Sequence, residues 1–124
     1  MRKLLLIVGA LLASAAAAGE GAMRTLAEKA GCASCHRETP ASEGWDKLIP
    51  LTPSWREIAV RYRDAKGAED KLTAIVLQGT GTRRGDRHWQ GIASIPNMPP
   101  NEIEVTAAQA RELVRWILTK SEPR

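Results

Sequence analysis

Cys32-Ala33-Ser34-Cys35-His36 contains both cysteines of the chain and one of its two histidines. Two thiols at this spacing, followed directly by His, form the attachment signature for c-type haem. Each thiol can add to one vinyl group of the porphyrin, and the two vinyls sit on neighbouring pyrrole rings. Three positions along a tight helical turn span that gap, and His36 is then directed under the iron as one axial ligand. The competing chemistries fit less well. A disulfide between Cys32 and Cys35 would close a tiny loop with little entropic gain. A thiol–disulfide oxidoreductase would set the pair beside a βαβ pattern, and no strand pattern precedes Cys32. A structural zinc site needs two further Cys or His ligands, and only His88 is left.

Six-coordinate iron needs a second donor, and the candidates are Met98, His88 and Met23. Met98 lies in Pro96-Asn97-Met98-Pro99-Pro100. Proline fixes φ and removes backbone donors, so this segment has little entropy to lose and suits a weakly binding thioether. His88 sits beside Trp89 after the charged run Arg83-Arg84-Gly85-Asp86-Arg87, and bis-histidine ligation is the main alternative. Met23 precedes the motif by only nine residues, an awkward origin for a ligand on the opposite haem face. With His and Met both bound, no open iron position is left for oxygen or a substrate. Thioether ligation raises the potential, which describes an electron-transfer site rather than a catalytic one.

The elements that must position these groups read as short helices broken by Gly and Pro. A first helix is expected over Gly21–Ala30, with Met23, Leu26, Ala27 and Ala30 on one face and Gly31 ending it. Thr52 and Pro53 read as N-cap and first residue of a second helix, in which Trp55, Ile58, Ala59 and Tyr62 recur at helical steps. Gly67 to Gly79 brackets a third helix with Leu72, Ile75 and Val76 as its buried stripe. Thr106 and Gln109 form the capping box of a fourth, lined by Ala110, Leu113, Val114, Ile117 and Leu118. Lys120 falls in its last turn, where it suits the helix dipole. Nothing alternates like a strand, so the expected fold class is all-α. The two long connections, Arg37–Leu51 and Gly79–Val105, are explained by a haem that the chain must enclose.

The amino terminus has a separate character. Arg2 and Lys3 precede an apolar run, and small residues follow to Gly19, the layout of a secretory signal peptide. The apolar run is shorter than the roughly 20 residues needed to span a bilayer. Cleavage of residues 1–18 is therefore expected, leaving 19–124 as one domain of about a hundred residues. Arg2 and Lys3 leave with the leader, so 18 basic residues become 16 against 14 acidic, a net charge of +2. Two haem propionates would bring this near zero, which gives no support to nucleic-acid binding. No later apolar run could span a membrane. Four Trp, one Tyr and no Phe make a core short of aromatics, one that would gain from a large apolar prosthetic group.

Taken in order, Gly31-Cys32-Ala33-Ser34-Cys35-His36, Pro53-Ser54-Trp55-Arg56-Glu57-Ile58-Ala59, Ile95-Pro96-Asn97-Met98-Pro99-Pro100-Asn101 and Leu113-Val114-Arg115-Trp116-Ile117-Leu118 resemble the small single-haem class I cytochromes c of bacteria. The likeness covers nearly all of the region after the leader. It implies four to five short helices wrapped around one covalent haem c, attached through Cys32 and Cys35 and ligated by His36 and Met98. It further implies that the Pro53 carbonyl orients His36, that Asn101 steadies Met98, that Trp89 bonds a propionate, and that Trp116 lies where the first and last helices cross. The sequence departs from the family pattern at the longer connection around Gly44-Trp45-Asp46, at Ala27 in place of an aromatic, at Asn97 between Pro96 and Met98, and in the charged loop Arg83–Arg87.

The resulting expectation is a non-catalytic periplasmic one-electron carrier, acting as a monomer between a donor complex and a terminal reductase or oxidase. Its partners would be redox proteins docked weakly through a small interface. The alternative is an electron-accepting subunit of a periplasmic dehydrogenase, for example one oxidising a sulfur compound. A haem peroxidase or ligand sensor would require Met98 to be off the iron.

Overall fold

The computed structural model describes residues 19–39, 52–80, 89 and 97–121. The expected leader 1–18, the Gly44-Trp45-Asp46 stretch, the charged run 83–87 and His88 lie outside the described residues. Helix α1 covers 19–29, followed by a 3-10 turn at Cys32–Ser34. Helices α2 (Trp55–Tyr62), α3 (Ala68–Gln78) and α4 (Ala107–Leu118) follow, and a 3-10 turn at Thr119–Ser121 continues α4. Among the described residues there is no strand.

Each helix starts and stops for a local reason. Helix α1 carries an i,i+4 pair, Arg24 Nη2 to Glu20 Oε1 at 3.0 Å, and buries Ala27 and Ala30. It ends at Gly31, whose φ of 76° lies in the left-handed region that glycine enters without steric cost. Helix α4 begins with reciprocal hydrogen bonds, Gln109 N–H to Thr106 Oγ1 at 3.2 Å and Thr106 N–H to Gln109 Oε1 at 2.9 Å, as its sequence predicts. Helix α3 has Glu69 and Asp70 in its first turn, where carboxylates favour the exposed amide ends. Arg111 of α4 reaches both, at 2.7 and 2.8 Å. These pairs face solvent, so screening leaves them a small part in holding α3 to α4.

The start of α2 differs from the sequence expectation. Its N-cap is Ser54, not Thr52, and Pro53 stands outside the helix. Ser54 forms a capping box with Glu57, at 3.1 Å from Glu57 N–H to Ser54 Oγ and 2.7 Å from Ser54 N–H to Glu57 Oε2. Ser-x-x-Glu satisfies two orphan amides at once, whereas Thr52 has no acidic partner three residues on. Freed from capping, the Thr52 hydroxyl donates to the Cys35 carbonyl.

The core forms where α1, α2 and α4 meet. Ala27, Ala30, Trp55, Val105, Ala110, Leu113 and Trp116 make one buried cluster. Tyr62, Ala68, Leu72 and Val114 make a second between α2, α3 and α4. The rings of Trp55 and Trp116 meet edge to face, 4.9 Å apart at 64°, the geometry that an aromatic quadrupole prefers. Small alanines on α1 and α4 let the helices approach closely. Trp116 lies at the α1–α4 contact, and its indole N–H donates to Glu20 Oε2. Of the expected α3 stripe, Leu72 is buried but Ile75 and Val76 are only half-buried, because they face a cleft.

Lys120 lies in the last turn, as expected, and makes further contacts there. Its side chain is only 8% exposed and its ammonium lies 3.3 Å from Glu20 Oε1 and 3.2 Å from Glu38 Oε2. The same ammonium sits 4.0 Å over the Trp116 ring. It ties the carboxy-terminal turn to α1 and to the segment that follows His36.

Candidate haem site

The helices line a common apolar cleft, to which α1 gives Ala27, α2 Ile58, α3 Leu72 and α4 Leu113. A lining this apolar suits the face of a porphyrin. One wall carries Cys32, Cys35 and His36, and Met98 also lines the cleft. Ala27 contributes a small surface where the family pattern has an aromatic. Ile58, Ile75 and Val76 supply apolar surface.

The attachment segment is fixed on both sides. Behind Gly31, the Cys35 and His36 amides donate to the Cys32 carbonyl at 3.2 and 2.9 Å. Ahead of it, the first amides of α2 have no partner within their own helix. Trp55 N–H donates to Arg37 O at 2.8 Å and Arg56 N–H to Glu38 O at 3.2 Å. The α2 start therefore grips the two residues after His36. Neither cysteine is in a disulfide. Burial pushes the Cys32 thiol above its ordinary value; a backbone hydrogen bond opposes this and Cys35 adds to it. Among the described residues no cluster of three or more His, Cys, Asp or Glu could hold a metal ion.

His36 Nδ1 lies 2.8 Å from the Pro53 carbonyl oxygen. A carbonyl can only accept, so Nδ1 carries the proton and Nε2 keeps its lone pair. Burial holds the imidazole below its ordinary pKa of 6.5, against the opposing effect of the Pro53 bond. The ring is thus neutral at neutral pH, the form that binds metal, and its second nitrogen is oriented by a backbone contact.

The Met98 segment is tied to the end of α3. Thr80 N–H donates to Met98 O at 3.0 Å, and Met98 N–H donates to Thr80 Oγ1 at 2.8 Å. Asn101 N–H reaches the Val76 and Leu77 carbonyls at 3.1 and 3.2 Å. Its side-chain amide donates to Pro99 O at 3.0 Å and Val76 O at 3.3 Å. Asn101 thus braces the loop backbone around Met98. Trp89 is half-buried and lines the cleft, with the Arg61 guanidinium carbon 5.1 Å over its ring. Met23 packs against the core cluster instead.

The structure therefore brings Cys32, Cys35, His36, Pro53, Trp89 and Met98 around one cleft, with Asn101 behind it. Sequence reasoning missed the cap role of Ser54 and the part of Thr80 in this framework. Ser54-x-x-Glu57 is a legible cap signal, but Thr80 carries no local signal, because its partner is 18 residues away.

A helical chain with two free thiols and a neutral His on an apolar cleft defines a covalent-haem protein. The comparisons extend this to the family level. The cytochrome c family model matches residues 22–121. Cytochrome c-551 of Allochromatium vinosum is 37% identical over 93 residues, covering 75% of this chain and 80% of that protein. Cytochrome c-552 of Hydrogenobacter thermophilus is 32% identical over 119 residues, covering 96% and 98%. The crystal structure of Nitrosomonas europaea cytochrome c552 superposes with a TM-score of 0.56 at 28% identity, covering 77% of this chain and 96% of that one. The chain belongs to the cytochrome c family, with the all-α class I fold and one covalent haem c on Cys32 and Cys35. It is a haem c electron carrier.

Proposed function

We propose that the chain is a periplasmic one-electron carrier whose haem iron is capped by His36 and Met98, shuttling between a donor complex and a terminal reductase or oxidase. The observation that supports this reading is that two iron donors line one cleft. His36, with its Nδ1 proton held by Pro53, and Met98, held by Thr80 and braced by Asn101, line the same apolar cleft. The haem supplies a one-electron iron couple, and thioether ligation favours its ferrous state. The chain's own residues hold the porphyrin in apolar surroundings, keep water from the iron and present a neutral imidazole. Trp89, which lines the cleft beside Arg61, would bond a propionate through its indole N–H. Residues 1–18 act as a cleaved export signal, so the mature chain starts at Gly19 in the periplasm. The helices are too short and polar to cross a membrane among the described residues.

Carbon monoxide tests the closed site. The ferrous holoprotein is expected to keep its visible spectrum under carbon monoxide at neutral pH and to titrate as a one-electron couple. Rapid carbon monoxide binding would mean an open iron and would reassign the protein to ligand sensing or peroxide chemistry.

A further inference from the structure

Helix α3 ends against the loop that carries Met98, and the contact is unusually close. Gly79 has φ +71°, and a Cβ built there would lie 2.5 Å from Met98 O, 2.8 Å from Pro100 N and 2.9 Å from Pro99 C. All three neighbours are backbone atoms and cannot swing aside. Only glycine lets the loop lie this near the helix end. Directly after it, Thr80 makes a two-point contact with Met98: its N–H donates to Met98 O at 3.0 Å and its hydroxyl accepts from Met98 N–H at 2.8 Å. Asn101 touches the loop on the far side of Met98, through Pro99 O. The two prolines that follow Met98 lack amide protons, so Met98 N–H is the nearest donor through which the loop can be held in register.

We propose that Thr80 is a positioning residue for the iron ligand: its hydroxyl, brought close by Gly79, fixes the Met98 backbone and thereby keeps the sulfur on the iron. This rests on Met98 being the ligand. Thr80 has no contact with the reacting centre and acts through Met98 alone. Loss of its hydroxyl strands the Met98 N–H and favours the opened loop, in which the sulfur leaves the iron and a competing ligand takes its place. Raising the pH supplies such competitors, as hydroxide and as neutral amines.

The test is an alkaline titration of the ferric holoprotein, following the weak far-red absorption band that thioether ligation gives. Thr80→Val keeps the branched shape and removes the acceptor. Loss of one such hydrogen bond shifts the opening equilibrium about fivefold, which lowers the midpoint pH of band loss by roughly 0.7 unit. Thr80→Ser restores the acceptor and is expected to return the midpoint toward the wild-type value. Thr106→Ala, which removes the α4 cap at comparable global cost, is expected to leave the midpoint in place. A Thr80→Val midpoint equal to wild type overturns the proposal, as does an equal shift in Thr106→Ala, which would reduce the effect to general destabilisation. Met98→Ala separates the underlying reading: if it keeps the wild-type band, Met98 is not the ligand and the premise itself has failed.

Discussion

Lys120→Met is the most demanding test of the packing account, because it changes one charge and little volume. The wild-type ammonium sits 4.0 Å over Trp116 and near two carboxylates, Glu20 and Glu38. A desolvated cation over an indole contributes about 1–2 kcal/mol. Glu20 and Glu38 are 39% and 29% exposed, so each ion pair adds only about 0.5 kcal/mol after solvent screening. The cost of 3–5 kcal/mol for stranding a buried charge does not apply here. Arg24 still lies 3.0 Å from Glu20 Oε1 and 2.7 Å from Glu38 Oε1, leaving both carboxylates with a counter-charge. The expected loss is about 2 kcal/mol, or a Tm lower by roughly 8–16 °C for a domain of this size. Guanidinium unfolding of the holoprotein, with an unchanged m-value, measures it. High salt screens ion pairs but not a desolvated cation over a ring, so more than half of the loss is expected to persist in 1 M salt. A loss below about 0.5 kcal/mol, or one that disappears in salt, would show that Lys120 is an ordinary surface cation.

Two further substitutions probe the same framework. Burial raises the Glu20 carboxyl, but hydrogen bonds from Trp116 and Lys120 outweigh it and the net pKa lies below the ordinary 4.5. Its stabilising effect is therefore complete above about pH 4.5 and is lost as pH falls through the lower folded value. Glu20→Gln should be less stable than wild type at pH 7, and the gap should close as pH falls through the lowered folded value; a gap that stays constant with pH would exclude the carboxylate as its source. Val114, 1% exposed, lines the cleft and packs with Tyr62 and Leu72. Val114→Ala should cost about 2 kcal/mol in denaturant unfolding, and an unchanged midpoint would mean that the site collapses around the deletion.

Much of this site could be read along the chain because its chemistry is local. Cys32, Cys35 and His36 are adjacent, Gly31 marks the break before them, and Met98 is set among prolines. The Thr106–Gln109 box and the apolar face of α4 follow from one helical period. The start of α2 lies two residues later than Thr52-Pro53 suggests, because Ser54-Glu57 makes the cap. Tertiary demand decided it: the Pro53 carbonyl serves His36, and the Thr52 hydroxyl serves Cys35. The partners of Lys120 are hidden for a similar reason. A basic residue near a helix end suits the dipole, but Glu20 lies 100 positions away in the chain and only the folded α1–α4 contact brings the two together. Gly79 gave a correct helix end, yet its second role, admitting the Met98 backbone, appears only in three dimensions.

The central claim is that His36 and Met98 face each other across one haem. Proton NMR of the ferrous holoprotein tests it directly, because a methyl group on an iron-bound sulfur lies in the porphyrin ring current and is shifted far upfield. The account predicts one such methyl resonance, absent in Met98→Ala and unchanged in Met23→Leu. A wild-type spectrum without it, or its survival in Met98→Ala, would contradict the assignment.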